Sequence, residues 1–317
     1  MPFADCSQPL ALLGAATLAY ITIQFAHQAT VYLLPSTLRK RYNPTATNWA
    51  LVTGATDGIG FGFCQELCAR GFNVILHGRN RAKLESRARE LAAEFPARKT
   101  GIVVLDVAAV TAAMDSVADE IRAILAEHGG KLSVLVNNVG GETKPFMPLS
   151  AHGFADVQTT INKNAVFMAQ ITRLLLPLLA DAAPGLVVNV SSFSSYGFPY
   201  VTVYSSTKGF VDTFTRALEA ECAYERNRVD VMVLRVGQVK TPGFDYVDST
   251  VFTPTGRTLA SAGLNRVGCG KVAVPAYFWH WVQSLAFDVL PRGLLMKATA
   301  DRMKELQKEE IERAKKR

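Results

Sequence analysis

From Asn48 to Leu234 the chain alternates short β-branched runs with longer helix-forming runs, and no other feature of the sequence restricts its fold as sharply. The candidate strands are Trp49–Val52, Asn73–His77, Gly101–Leu105, Ser133–Val136, Leu186–Val190 and Val229–Leu234. Between them lie the helix-like runs Gly60–Arg70, Arg81–Glu94, Thr111–Glu127, Val157–Leu179 and Thr207–Arg226. Such a rhythm predicts crossover helices and a parallel sheet, hence an α/β fold. The strands are almost wholly apolar, as strands covered on both faces should be. The stretch Thr241–Gly270 breaks the rhythm with Pro242, Pro254 and several glycines, and reads as loop with short helix. A second apolar stretch, Val272–Met296, carries Trp279, Trp281 and Phe287, and the highly charged tail Lys297–Arg317 reads as a solvated helix.

The first strand runs into Thr53-Gly54-Ala55-Thr56-Asp57-Gly58-Ile59-Gly60. Glycines let a backbone turn tightly and approach a pyrophosphate, and a helix that starts at the third glycine points its free amides at the anion. The spacing is Gly-x-x-x-Gly-x-Gly, and its place between strand and helix gives it meaning. The second strand ends in His77-Gly78-Arg79. A carboxylate there would bind a ribose 2′-hydroxyl, whereas a guanidinium grips a 2′-phosphate. Arg79 therefore predicts NADP rather than NAD.

In Tyr204-Ser205-Ser206-Thr207-Lys208 a phenol and an ammonium stand four residues apart, on one helix face. A neighbouring cation is expected to lower the phenol's pKa and make it a competent general acid or base. With the glycine loop, Asn137-Asn138-Val139-Gly140 and Val190-Ser191-Ser192, the set resembles the short-chain dehydrogenase/reductase family over about Asn48 to Thr241. The resemblance implies a Rossmann-like doubly wound parallel sheet in three layers. It implies catalytic roles for Asn164, Ser192, Tyr204 and Lys208, with Ser191 as the alternative serine. It further implies that Thr53, Gly54, Gly58, Ile59, Gly60, Arg79, Asp106, Asn138, Tyr204, Lys208, Val239 and Thr241 hold NADPH or NADP+. The segment Val236-Gly237-Gln238-Val239-Lys240-Thr241 resembles the family's Pro-Gly-x-Val-x-Thr, with Val236 in place of the proline.

Within the family the chain looks most like the membrane-bound branch that contains very-long-chain 3-oxoacyl-CoA reductases and 17β-hydroxysteroid dehydrogenases types 3 and 12. Its Asn-Asn-Val-Gly motif and the C-terminal pattern Pro254…Gly268-x-Gly270…Pro275-x-Tyr277-x-x-x-His280 carry that likeness; the usual seventh-strand glycine motif is not apparent. No charged residue occurs between Asp5 and Arg39, and Pro9–Leu34 is long enough to cross a bilayer, which takes about 20 residues. Gln24, His27 and Gln28 interrupt it, so a helix lying in the interface and a helix buried in the domain stay open beside a span. The acidic start argues against a cleaved signal peptide. Arg39, Lys40 and Arg41 follow at once and place the bulk of the chain on the cytoplasmic side, with the endoplasmic reticulum as the expected membrane.

These readings divide the 317 residues into an anchor and basic linker (1–47), an NADP-binding catalytic domain (48–241) and a C-terminal extension of that domain (242–317). The formal net charge of +7 has no aromatic-interleaved basic stripe, so nucleic acid is not expected as a partner. The five cysteines are irregularly spaced, implying no disulfide framework; Cys64 and Cys68 read as core rather than metal ligands. The expected activity is reduction of a lipid-like or acyl-CoA ketone, foremost a 3-oxoacyl-CoA in fatty-acid elongation. A steroid or polyketide-type ketone is the alternative, and a catalytically silent scaffold the reading of another class. The resemblance also suggests a homodimer.

Overall fold

The computed structural model describes residues 7–108, 114–244 and 247–315. Cys6, the first residues of the expected helix at Thr111, and Lys316–Arg317 lie outside the described residues. Seven parallel strands form one sheet in the order β3-β2-β1-β4-β5-β6-β7. They are β1 (Trp49–Thr53), β2 (Asn73–Gly78), β3 (Thr100–Val104), β4 (Leu132–Asn137), β5 (Gly185–Ser192), β6 (Val229–Val236) and β7 (Ala273–Pro275). The order reverses between β1 and β4, and in open α/β sheets the crevice at such a switch point receives the ligand.

Two helices precede the sheet, α1 (Ser7–Leu33) and α2 (Leu38–Tyr42). The crossovers are α3 (Gly58–Ala69), α4 (Arg81–Glu94), α5 (Asp115–His128), α6 (Phe154–Ile161) with α7 (Phe167–Ala182), and α8 (Thr202–Tyr224). Beyond β6 come α9 (Gly256–Leu264), α10 (Phe278–Val289) and α11 (Arg292–Lys315). One apolar core lies between the sheet and α3, α4 and α9, and includes Cys64, Cys68, Phe63, Phe72, Leu76 and Leu259. The other lies beneath α5, α7 and α8 and includes Trp49, Ile121, Phe167, Leu175 and Leu218. Strands β1, β2, β4 and β5 are buried almost throughout, as their apolar runs on both faces require.

The structure departs from the sequence reading in three places. The stretch expected as one helix over Val157–Leu179 is α6 and α7 joined by a π-helical turn at Asn162–Val166. The apolar stretch Val272–Met296 breaks into β7, α10 and the first turn of α11, so a short seventh strand exists without the usual glycine motif. The charged tail is not simply solvated: α11 is amphipathic enough to bury Leu306 and to lay Thr299 and Met303 over the cavity described below.

Among the described residues two helical stretches are long and apolar enough to cross a membrane, Leu10–Leu33 and Phe154–Ala182. The second packs into the domain through Phe167, Ile171 and Leu175. In α1 most side chains are exposed, among them Leu10, Leu12, Leu13, Leu18, Ile21 and Ile23. Its C-terminal end docks on the domain, where Tyr32 donates to the Pro275 carbonyl at 3.0 Å and Arg266 donates to the carbonyls of Val31 and Tyr32.

Candidate active site

At the end of β1 the chain turns through Gly54-Ala55-Thr56-Asp57 into α3. Gly54 and Gly58 hold φ of +67° and +55°, a region glycine enters without steric cost. At Gly60 a Cβ would overlap the Gly54 carbonyl oxygen and come within 2.6 Å of Asn138 Nδ2, so turn and helix can close on each other only over a glycine. The Thr53 hydroxyl accepts the N–H groups of Asn138 (2.9 Å) and Val139 (3.1 Å), and Asn138 Nδ2 donates to the Thr53 carbonyl at 2.9 Å. Those bonds lock the C-terminal ends of β1 and β4 together at the switch point. Ile59, in the first turn of α3, lines the cavity, so the helix's unsatisfied amides lie at its edge. Sequence reasoning gave no role to Arg87 of α4. Its Nε donates to the Thr56 carbonyl at 2.9 Å and its guanidinium pairs with Asp57 at 3.2 Å, bracing the turn from below.

Arg79 is exposed at the end of β2 and has no ion-pair partner among the described residues. Burial lowers the pKa of the nearby Lys163 amine, Arg79 adds to the fall and Glu142 opposes it, so two cations lie close together. Gly78 leaves no carboxylate at the position that would repel a 2′-phosphate. Asp106, past β3, is exposed and accepts the Ala108 N–H at 3.0 Å. Thr241 closes on Gly58, where a Cβ would touch its methyl at 3.0 Å, and Val239 lines the cavity. Glycine cradle, helix terminus, exposed guanidinium and open β2 end together fit a phosphorylated dinucleotide.

Tyr204 and Lys208 sit in the first two turns of α8. Ser191 and Ser192 end β5 and point to opposite sides, as successive strand residues must. The Ser191 hydroxyl is fully buried and donates to the Lys208 carbonyl at 3.2 Å. The Ser192 hydroxyl lies on the cavity side against the Tyr204 phenol, where its hydrogen bond opposes the effect of burial. Lys208 Nζ donates to the Val190 carbonyl at 2.8 Å and stands 5.5 Å from the centre of the Tyr204 ring. The π-helical turn carries Asn164, whose amide donates to the carbonyls of Gly141 (2.8 Å) and Thr160 (2.7 Å) and accepts the Gly141 N–H at 2.8 Å. A Cβ on Gly140 would meet both Asn164 Oδ1 (2.8 Å) and Lys208 Nζ (3.2 Å), so these two groups converge on one spot.

The electrostatics correct one expectation. Burial pushes the Tyr204 phenol up to about 12, the Ser192 hydroxyl holds it down, and the Glu142 carboxyl raises it again. The lysine does not turn the phenol into a phenolate; desolvation outweighs it. Burial also lowers the Lys208 ammonium to about 8, with Asp212 opposing and Lys163 assisting the fall. Near neutrality the site therefore holds a protonated phenol beside a cation.

Tyr204, Lys208 and Ser192 line a cavity of about 580 Å³ together with Asn138, Val239 and Thr241. Its far side is apolar, from Phe146, Phe198, Phe287, Leu295, Met303 and Leu306. Behind the cavity, His280 is fully buried and holds Gly237 and Gln238, which line it. Its Nδ1 accepts the Gly237 N–H at 3.1 Å and its Nε2 lies 3.2 Å from the Gln238 carbonyl. Both bonds are made at once when Nε2 carries the proton, and burial lowers the ring's pKa to about 4, keeping it neutral. No sequence signal ties His280 to Gly237 and Gln238, so far back along the chain. The α11 residues are hidden in the sequence for another reason: their charge masks a one-sided apolar stripe.

Comparison with known proteins agrees with this geometry. A family model described as short chain dehydrogenase matches residues 48–251. Very-long-chain 3-oxoacyl-CoA reductase of Anas platyrhynchos is 32% identical over 273 residues, 81% of this chain and 80% of that protein. Very-long-chain 3-oxoacyl-CoA reductase-A of Danio rerio is 34% identical over 251 residues, 78% and 75% of the two chains. The Rattus norvegicus very-long-chain 3-oxoacyl-CoA reductase is 29% identical over 313 residues, 96% of each. Among solved structures, a 7β-hydroxysteroid dehydrogenase superposes with a TM-score of 0.68 at 22% identity, covering 83% of this chain and 98% of its own. A short-chain dehydrogenase from Sphingobium yanoikuyae, solved in complex with NADPH, gives 0.62 at 20% identity, with 78% and 95% covered. Motifs, topology and a profile match over most of the chain agree, and the protein belongs to the short-chain dehydrogenase family.

Proposed function

We propose that this protein reduces a ketone to a secondary alcohol with NADPH, and that its substrate is a 3-oxoacyl-CoA of the kind used in very-long-chain fatty-acid elongation. One observation carries the reading: a protonated phenol, a serine hydroxyl and a buried ammonium share one cavity between a dinucleotide cradle and an apolar wall. The names of the relatives, very-long-chain 3-oxoacyl-CoA reductases, support the substrate class.

Bound NADPH supplies the hydride. Ser192 and Tyr204 donate hydrogen bonds to the carbonyl oxygen, where negative charge grows as the carbon is reduced. Tyr204 then gives its proton to that oxygen, so one hydride and one proton convert C=O to CH–OH. The Lys208 ammonium stabilises the phenolate left behind and binds the ribose of the cofactor. Asn164 grips the Gly141 backbone on both its N–H and its carbonyl, which holds the neighbouring Gly140 beside Lys208, and it orders water behind the lysine for reprotonation. Gly54, Gly58 and Gly60 with the α3 terminus hold the pyrophosphate; Arg79 takes the 2′-phosphate; Asp106 and Asn138 meet the adenosine; Val239 and Thr241 hold the carboxamide. The apolar wall excludes water and receives the acyl chain.

The exposed apolar α1, followed by Arg39, Lys40 and Arg41, supports a membrane anchor with the catalytic domain on the cytoplasmic side, in the endoplasmic reticulum. A second reading, a steroid or other rigid ring ketone, is favoured by the stacked rings of Phe198 and Phe287, 5.6 Å apart, on the cavity wall. Ketone-dependent oxidation of NADPH and NADH by membranes containing the protein tests both. Turnover of 3-oxoacyl-CoA with NADPH, and none of steroids, is the expected result. Steroid turnover alone would move the assignment to the second reading. NADPH binding without turnover of any ketone would overturn both and leave a scaffold.

A further inference from the structure

The C-terminal end of α1 packs against α10. The Tyr32 ring meets Phe278 at 5.5 Å and Trp281 at 5.5 Å, and one of the preceding turns brings Phe25 within 4.9 Å of Trp281. Following α1 backwards from Tyr32 to Phe25 thus moves forwards along α10 from Phe278 to Trp281. The two helices run in opposite senses, and α10 heads towards the apolar, exposed part of α1. The stretch from Trp281 to Val289 carries α10 about 12 Å further along its axis.

At that end the chain turns from α10 into α11, and the turn has two dissimilar faces. Its inner face belongs to the catalytic cavity through Ala286 and Phe287 on α10 and Leu295 and Ala298 on α11. Its outer face is apolar and uncovered: Val289 is 79% exposed, Leu294 60% and Leu290 44%. Exposed apolar side chains clustered at one tip mark a binding surface more often than singly scattered ones do. Arg292 and Lys297 flank the tip, with Asp288 beside them, and long basic side chains can keep their charge at a headgroup level while their stems lie in apolar surroundings.

We propose that the α10–α11 turn inserts into the same lipid surface as α1 and forms a collar through which the apolar chain of the substrate passes from the bilayer into the cavity. This rests on the reading of α1 as a membrane anchor, and it adds a second contact and a route. The alternative of a water-borne substrate would leave Val289, Leu290 and Leu294 in solvent for no gain. A long acyl chain loses about 0.8 kcal/mol per CH₂ on leaving a bilayer for water, so a lateral route lowers the barrier to entry most for the longest substrates.

The full chain in phosphatidylcholine vesicles, with or without brominated acyl chains, provides the test. Leu290→Trp should add fluorescence that brominated lipid quenches and aqueous iodide does not. In a second arm, the triple change Val289→Glu, Leu290→Glu, Leu294→Glu should leave turnover of a short, water-soluble 3-oxoacyl thioester unchanged. It should lower kcat/KM for a long-chain substrate held in the vesicles by at least about tenfold. Quenching of the added indole fluorescence by iodide alone, in protein that still floats with the vesicles, would overturn the collar and leave the anchor standing. An equal loss on short and long substrates would also overturn it. Failure of the wild-type chain to float with vesicles would overturn the anchor and the collar together.

Discussion

The wall of the cavity made by β1, β4 and α3 is built of backbone, whereas the wall made by α10 and α11 is built of side chains. On the first wall Gly54 and Gly60 bring main chain against main chain, Gly58 admits the Thr241 side chain, and Thr53 and Asn138 pin two strand ends with bonds of 2.9–3.1 Å. On the second, Phe287, Leu295, Met303 and Leu306 meet the cavity from two helices joined by one exposed turn. A backbone wall tolerates almost no change and recognises a ligand that does not vary. A side-chain wall can be resized one residue at a time, which suits the part of a site that selects the substrate. The residues proposed as catalytic sit between the two, on β5, the π-helical turn and α8.

This contrast predicts graded outcomes. The largest effect outside Tyr204 should come from Lys208→Met, which removes the buried cation while keeping an unbranched stem. Ketone reduction should fall about 10²- to 10⁴-fold, read as steady-state NADPH oxidation. In the unaltered protein the cation is present below the lowered pKa of about 8 and lost above it. Reduction should therefore hold through neutrality and decline as pH rises through that region; a rise with pH would break the assignment. Gly60→Ala comes next. The new methyl runs into the Gly54 carbonyl, so overpacking should cost about 1–3 kcal/mol in unfolding free energy and weaken NADPH binding at every substrate concentration. An intact NADPH affinity would mean that the backbone wall is softer than described.

Arg79→Ala should reduce preference for NADPH over NADH by about 10- to 100-fold, the value of a lost charge-assisted contact, with kcat for NADH little altered. The smallest effect should come from His280. His280→Ala removes the acceptor for Gly237 N–H and the donor to Gln238; most of the about 1 kcal/mol per bond should be lost from folding stability, because the ring does not touch the cofactor site itself, and a few-fold rise in KM for NADPH is expected. His280→Asn, whose amide can reproduce the Nδ1 acceptor, should recover part of that loss without restoring packing. Equal defects in the two variants would make His280 a packing residue only.

The same contrast explains what can be read from the sequence. The backbone wall is local: a glycine spacing between a strand and a helix, an Asn-Asn pair at the end of β4, and a phenol one turn ahead of a lysine all announce themselves in a few consecutive residues. Six strands and the crossover helices are legible for the same reason, because their apolar periods are written in the segments themselves. The side-chain wall is nonlocal. His280 reaches back 43 positions to Gly237, and α11 covers the cavity with residues spaced among lysines and glutamates. The three-residue β7 is too short to show a period. The π-helical turn at Asn162–Val166 has no compositional mark. The direction of the Tyr204 shift runs against the sequence expectation because the pairwise effect of a cation is visible in sequence and burial is not.

The central claim is that the Tyr204 phenol, held protonated by burial, is the group that gives its proton to the ketone oxygen. Single-turnover oxidation of NADPH by Tyr204→Phe, with NADPH affinity measured on the same sample, tests it most directly. The account predicts that the phenylalanine form binds NADPH as the unaltered protein does and loses ketone-dependent oxidation by about 10²-fold or more. Undiminished oxidation with intact cofactor binding would contradict it.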